Sequence, residues 1–360
     1  MTSIEHIRRR PDFYFGGYLK GNHPWNGLYT VLKEVIDDAV NEFLMGYGNN
    51  IELDFADQNR EVTVKDHGRG IPFDSIIRMT SEFDPAFIKR DTDTFQQCIG
   101  WQCLGLLVAN AMSESFRICS CRDCECFWAE FIRGELVGSG KETAKDFCSS
   151  GTVVTFKLDA DFFGDFAFRM DYVKSMIKNY TYFRKGLIIT LNHEDEFKSE
   201  NGLLDLIHDN ILESPLYPPI HLEDDKIEMV LCHYIGRKDT FLSFVNGHFT
   251  RNGGVHQTAF KSAVTNVLDE VLNEDYRLYS RGLLGAISVK VKNPDWGDSS
   301  KSVLTLHERN QVLSDEIDQF VSTHLQEYLC KNNDVLFSMA EVCKIFNAPF
   351  DDFLTDKLPL

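Results

Sequence analysis

Glu34, Asp38 and Glu42 recur at four-residue intervals inside an apolar helical pattern, so on a helix they share one face. Three carboxylates in a row repel one another unless a cation sits beside them, and oxygen ligands suit a hard ion such as Mg2+. A solvated acidic face is the plainer reading, but the row adjoins strongly apolar positions, where a wholly exposed face is less expected. In the chemical reading Glu34 is a general base acting on water and Asp38 a metal ligand. Further along, Asp66-His67-Gly68-Arg69-Gly70-Ile71-Pro72 reads as a glycine-punctuated turn led by a carboxylate. A buried Asp66 would accept a hydrogen bond from an adenine amino group, and the glycines would let backbone approach the ring. Arg69 is spaced to pair with Glu42. A third element, Gly151-Thr152, opens a β-branched strand. The chain contains no G-x-x-x-x-G-K-[ST] segment, which excludes a Walker A phosphate loop.

These residues need elements to hold them. Leu28, Val31, Leu32, Val35, Ile36, Ala39, Val40 and Phe43 follow the i, i+3, i+4, i+7 pattern and predict a helix over 27–46, with Asn26 at its N-cap. Alternation predicts strands at 51–55 and 61–65 around a polar Asp57-Gln58-Asn59 turn. Helix is expected again over 104–113 and 170–181, and strands at 116–121, 127–132, 152–158 and 187–191. The polar stretch 193–201 and the proline-rich 214–219 bracket a domain boundary. Beyond it come strands at 227–234, 240–245 and 284–291, a helix at 257–272 and a terminal helix from about Asp315. Residues 351–360 read as a linker.

At 360 residues the chain suits two domains rather than one core. With 37 basic against 55 acidic residues the net charge is −18, which argues against a surface that grips DNA throughout. A local basic groove remains compatible, with Arg251, Lys261, Lys290 and Lys292 as candidates. No apolar run is long enough for a membrane span, and the N-terminus has no apolar signal core, so a cytoplasmic location is expected. Of ten cysteines, four fall in Cys119-Ser120-Cys121-Arg122-Asp123-Cys124-Glu125-Cys126. One reading is zinc, although the spacing matches no common zinc pattern. The other is a hairpin turning at Arg122-Asp123 with cysteines as small apolar strand residues. Free thiols would fit a reducing compartment.

The acidic helix and the Asp66 turn stand with further segments: Ile4 to Gly16, Asn110-Ala111-Met112-Ser113, Gly151-Thr152, Phe244-Val245-Asn246-Gly247, Gly253-Gly254-Val255-His256 and Ser300-Lys301. Together they resemble the N-terminal ATPase and transducer region of bacterial type II DNA topoisomerase B subunits, the gyrase and topoisomerase IV family. The resemblance runs over nearly the whole chain. His23-Pro24, Lys33-Glu34 and Met45-Gly46-Tyr47-Gly48 are nearer to topoisomerase IV than to gyrase. The implied fold class is α+β: a GHKL (Bergerat-type) α/β sandwich ATPase domain over 1–205, a ribosomal-S5-like α/β transducer over 206–325, and a terminal helix and linker over 326–360. The resemblance implies ATP and Mg2+, with Glu34 as catalytic base and Asp38 as Mg2+ ligand. Asp66 would read adenine with Thr152 helping through water, Gly70, Ile71 and Pro72 would line the base pocket, and Arg122 would lie at its rim. Lys89 with Gly100, Gln102, Leu104 and Gly105 would form the ATP lid, and Lys301 would reach the γ-phosphate. Implied partners are a second copy on ATP binding, a gyrase A- or ParC-like DNA-cleaving subunit, and double-stranded DNA. No membrane is implied.

The sequence departs from the family pattern at several points. Asp38 stands where the family has Asn, His67 interrupts Asp-Asn-Gly-Arg-Gly, and Thr30 replaces a histidine. Ile99 and Cys103 replace lid glycines, and the Gln-Thr-Lys loop reads Ser299-Ser300-Lys301. The N-terminal arm is short, and the sequence stops before a Toprim domain would begin. These departures keep a second reading open: a divergent, non-hydrolysing nucleotide-binding or regulatory paralogue.

Overall fold

The computed structural model describes residues 1–15, 23, 26–83, 104–122, 125–143, 150–211, 214–234, 238–272, 282–292, 294–297, 302–305 and 308–345. The chain divides into two compact units, Met1–Thr181 with Lys185–Ser199, and Tyr182–Arg184 with Glu200–Leu360.

The first unit begins with α1 (Ser3–Arg9) and α2 (Pro11–Phe15), followed by the long α3 (Gly27–Leu44). Then come β1 (Asn50–Ala56), β2 (Glu61–Asp66), α4 (Phe73–Ser81), α5 (Gly105–Ala111), β3 (Ser113–Arg122), β4 (Glu125–Ile132), β5 (Glu135–Thr143) and β6 (Gly151–Leu158). The unit continues with α6 (Ala160–Phe163), α7 (Met170–Tyr182), β7 (Ile188–Leu191) and β8 (Asp195–Phe197). Among the described residues, eight strands form one sheet in the order β5-β4-β3-β6-β2-β1-β7-β8. All neighbours are antiparallel except β1 and β7.

The apolar period of α3 has the consequence its spacing predicts. Leu28, Val31, Leu32, Val35, Ile36, Ala39 and Val40 are all buried in the first core. Asn26 occupies the N-cap with extended backbone, but its side chain makes no capping bond. The Asp57-Gln58-Asn59 turn is left-handed throughout (φ 48°, 58° and 64°), and it closes the β1–β2 hairpin. The helix expected over 104–113 stops at Ala111, because Ser113 already pairs with Leu158 as the first residue of β3.

The second unit holds α8 (Leu203–Asn210), β9 (Ile220–Glu223), β10 (Ile227–His233), β11 (Thr240–Val245), β12 (His248–Phe249), α9 (Val255–Leu272), β13 (Leu283–Val289), α10 (Glu308–Lys331) and α11 (Asn333–Ile345). Its sheet runs β12-β11-β13-β10-β9, with β11 and β13 parallel. The terminal helix thus begins earlier than Asp315, and a second helix follows it. Residues 351–360 lie outside the described residues.

Among the described residues of this second unit, two histidines are buried. His233 meets the Tyr217 hydroxyl through Nδ1, and His256 meets Thr250 Oγ1 through Nε2 at 3.0 Å. Burial lowers both imidazoles to a pKa of about 4. An unfolded histidine takes up its proton near pH 6.5, so between about 6.5 and 4 the unfolded chain holds protons the folded one lacks. Stability is therefore expected to fall as pH drops through that window, by up to about 2 kcal/mol per histidine at pH 5. Urea unfolding followed at pH 7 and pH 5 checks this, and His256→Gln should flatten the dependence.

Candidate functional site

Asp66 ends β2 and is 6% exposed. Its Oδ1 accepts the Gly68 N–H at 2.8 Å and the Thr152 N–H at 3.3 Å. Burial raises its pKa to about 6; the two N–H bonds oppose that and the Glu42 charge adds to it. The carboxylate is thus ionised at neutral pH and fixed in orientation through one oxygen, leaving Oδ2 to accept from a ligand. Thr152, at the start of β6, contributes its backbone N–H directly.

The turn after Asp66 is held by β3. Ser120 Oγ accepts the Ile71 N–H at 2.7 Å and stands 3.0 Å from the Ile71 carbonyl, to which it donates. Arg122, the last residue of β3, donates from Nη1 to the Gly70 carbonyl at 3.2 Å. Gly70 has φ +73°, and a Cβ there would lie 2.5 Å from the Cys121 carbonyl oxygen, so both conformation and space demand glycine. Pro72 caps α4, whose Phe73 stacks on Phe127. Gly70, Ile71, Pro72, Arg122, Thr152 and Asp66 are therefore brought together. Ser120 was not singled out from sequence, although a signal existed: it is a polar residue in phase with the buried Phe116 and Ile118.

Glu34 lies on α3 and is 5% exposed. Gly105 opens α5 against it: a Cβ at Gly105 would meet Glu34 Oε2 at 3.4 Å. The missing side chain lets the two helices approach, and Leu104 occupies the N-cap of α5. Lys89, Gly100, Gln102 and Lys301 lie outside the described residues.

The row on α3 divides by role. Glu42 accepts three bonds from Arg69, from its backbone N–H at 2.9 Å, Nε at 3.1 Å and Nη2 at 2.8 Å. The pairing expected from the spacing is present. Arg69 also lies over the Tyr47 ring, 4.4 Å from its centroid. Asp37 is buried between Lys33 Nζ at 2.6 Å and the Tyr180 hydroxyl, a structural network rather than a ligand position. His67, the departure from the family turn, meets Glu52 Oε1 at 2.7 Å, beside Lys65 at 2.9 Å on the same oxygen.

Asp38 is the strained member. Burial first, then the charges of Asp66, Glu42, Asp37 and Glu34, raise its carboxyl to a pKa of about 7. Among the described residues the carboxylate oxygens of this row do not converge as a cluster of three ligands, so of the row Asp38 itself is the oxygen donor offered to a hard divalent cation, which would restore it to its ionised form. Without a cation, the folded chain between pH 4 and 7 holds a proton that the unfolded chain has released. Stability is therefore lost as pH rises through that window, and the loss is complete above about 7. Asp38→Asn is expected to raise stability by about 1–3 kcal/mol at pH 8, after allowance for partial solvent screening, and far less at pH 4.5. Thermal unfolding at the two pH values, without nucleotide or metal, measures the difference.

The cysteine hairpin forms, β3 against β4, but Arg122 is still strand and pairs with Glu125, so it does not turn at Arg122-Asp123, and its thiols are not all free. Cys121 and Cys126 face each other across the ladder and are joined by a disulfide. Opposite positions on adjacent strands bring the two sulfurs within bonding reach, which spacing along the chain does not reveal.

A family profile described as DNA gyrase B matches residues 170–348, and one described as the histidine kinase-, DNA gyrase B- and HSP90-like ATPases matches 25–161. The chain belongs to the gyrase B family. It is 33% identical over 325 residues to the B subunit of DNA topoisomerase 4 from Borreliella burgdorferi, covering 89% of this chain and 53% of that protein. It is 27% identical over 354 residues to the B subunit of DNA gyrase from Archaeoglobus fulgidus, covering 91% and 55%. The chain thus spans about half the length of the curated relatives it matches. The fold matches the 43K ATPase domain of Thermus thermophilus gyrase B, solved with an aminocoumarin, at TM-score 0.72 and 24% identity, over 95% of this chain and 94% of that one. It also matches the ATPase region of Saccharomyces cerevisiae topoisomerase II at TM-score 0.67 and 16% identity, over 93% and 98%. The expected architecture, a GHKL ATPase fold followed by a transducer-like fold, is therefore that of the gyrase B family. Among the described residues no helix is long and apolar enough to cross a membrane.

Proposed function

We propose that this chain is the ATP-binding and hydrolysing clamp of a type II DNA topoisomerase, contributed by its ATPase-bearing subunit. The observation that carries the reading is the Asp66 carboxylate, oriented by the Gly68 and Thr152 N–H groups beside the Gly70–Pro72 turn. Asp66 Oδ2 accepts the adenine amino group, and Ile71 and Pro72 cover the ring, with Arg122 at the rim. Glu34 takes a proton from water as the water oxygen bonds to the γ-phosphorus and the bond to the ADP oxygen breaks. Asp38 would hold Mg2+, which would supply neutralisation of phosphate charge. Leu104 and Gly105, with Lys89, Gly100 and Gln102, belong to the phosphate-covering lid, and Lys301 is assigned to the γ-phosphate. The domain limits proposed are 1–205, 206–325 and 326–360.

In this reading two copies close on ATP and reopen after hydrolysis, passing a DNA duplex in concert with a separate DNA-cleaving subunit. The test is ATP turnover with Mg2+ across a range of protein concentrations, alongside sedimentation with a non-hydrolysable analogue. Turnover that rises faster than linearly, together with analogue-dependent dimers, supports the clamp. Binding without turnover supports the second reading, a non-hydrolysing paralogue, which the extra charge of Asp38 and the Ile99 and Cys103 replacements favour. Absence of binding would overturn both.

A further inference from the structure

The Cys121–Cys126 disulfide stands at the nucleotide turn rather than in the body of the sheet. It joins register partners one pair from the end of the β3–β4 ladder, where Arg122 pairs with Glu125. The chain neighbours of the two cysteines brace the turn that follows Asp66. Ser120 Oγ bonds both the N–H and the carbonyl of Ile71, and Arg122 reaches the Gly70 carbonyl. Phe127, next to Cys126, stacks on Phe73 at the start of α4. The Cys121 backbone itself lies against the turn, since a Cβ at Gly70 would stand 2.5 Å from its carbonyl oxygen. On the other edge of β3, Cys121 pairs with Gly151 and Ser120 with Thr152, whose N–H orients Asp66.

A staple for the whole hairpin is the plainer role for this bond, but the ladder leaves such a staple little to do. β3 and β4 already pair from Ser115 with Ile132 to Arg122 with Glu125. The cysteines are five residues apart, and a bond closing so short a loop removes little entropy from the unfolded chain. What it does hold is the end of the ladder, where pairing frays first. We propose that the Cys121–Cys126 bond is a redox latch on the nucleotide turn. Closed, it holds Ser120 and Arg122 against residues 70–71 and keeps the Asp66 site ordered. Opened by a dithiol, it lets that end loosen and lowers nucleotide affinity. The latch rests on the reading that Asp66 and its turn hold the base.

Both cysteines are buried, so a reductant reaches the bond when the terminal Arg122–Glu125 pair opens. A nucleotide that holds the turn in place opposes that opening. One thiolate of the dithiol bonds to a protein sulfur as the S–S bond breaks, and the departing sulfur takes a proton. The second thiolate then displaces the first protein sulfur, which takes the second proton, and the dithiol leaves as its own disulfide. Two electrons and two protons thus pass to the chain. Nucleotide binding and reduction are linked, so each shifts the equilibrium of the other by the same factor.

The experiment uses the whole chain, oxidised or reduced with dithiothreitol under nitrogen, with alkylation and mass spectrometry reporting the state of the pair. Calorimetry with a non-hydrolysable ATP analogue and Mg2+ is expected to show binding weaker by about fivefold or more in the reduced chain. In dithiothreitol redox buffers, saturating analogue should raise the ratio of reduced to oxidised reagent needed to open half the bonds, by the same factor. Cys121→Ala combined with Cys126→Ala should bind as the reduced parent does and lose the response to dithiol. Cys330→Ser, in α10 of the second unit, should keep it. Hydrogen exchange serves even where the double variant fails to fold: on reduction the Ile71 and Thr152 amides should exchange faster, and those of β1 should not. Equal affinity in the two states with the bond shown open, a double variant that still responds, or exchange quickened alike throughout the chain overturns the latch and leaves the nucleotide reading in place. Analogue binding in neither state overturns that reading and the latch with it.

Discussion

Glu34→Gln is expected to lower ATP turnover by about 10²–10⁴-fold, the range a positioned general base contributes, while nucleotide affinity changes little. The substitution keeps the shape and hydrogen-bonding capacity of the side chain and removes its ability to take a proton. Glu34 is buried against Gly105 at the start of α5, so an isosteric amide preserves the α3–α5 packing that a smaller residue would disturb. Steady-state turnover with calorimetric ATP binding separates the two quantities. A loss of turnover matched by an equal loss of affinity would point to binding, not proton transfer, as the role of Glu34. Turnover retained in Glu34→Gln would remove it from the chemistry altogether.

Asp66→Asn is expected to weaken ATP binding by about 30- to 150-fold, the equivalent of about 2–3 kcal/mol. The oxygen of the asparagine can still accept the Gly68 and Thr152 N–H groups that Oδ1 accepts now. Its NH2 group then takes the place of Oδ2 and presents a donor to the adenine amino group, itself a donor. A charge-assisted bond is lost and two donors are left facing each other. Stability gives an independent control. The native carboxyl has a pKa raised by burial to about 6, so it costs the fold free energy above that pH. The variant is thus expected to melt at or above the temperature of the parent at pH 8 even as binding fails. A fall in melting temperature would mean the carboxylate is structural, and unchanged ATP affinity would place the base elsewhere.

Much of this molecule is legible from local pattern. The period of α3 identified its buried face because each residue's direction on a helix follows from its position alone. The same holds for the alternation in β1 and β2. The carboxylate row and the Asp66 turn were legible because their spacing constrains chemistry within a few residues. By contrast, β5 escaped notice: Leu136 and Val137 are 45% and 57% exposed, so an edge strand held by β4 carries no clear alternation. Which acidic residue does what was equally hidden. Asp37 and Asp38 are neighbours in sequence, yet Lys33 and Tyr180 enclose the first. The carboxyl of the second is raised first by burial and then by the charges of Asp66, on β2, and of Glu42, Asp37 and Glu34.

The sequence by itself therefore determined the most strongly periodic elements, suggested a two-part organisation, and fixed the residue types available for chemistry. Tertiary structure alone decided three things. Ser120 clamps Ile71, Asp38 rather than Asp37 carries the unneutralised charge, and Cys121 meets Cys126 with Cys119 beside them. The reason is physical. Periodicity is set by backbone geometry over a few residues, whereas charge, burial and sulfur proximity depend on which strands pair across the sheet.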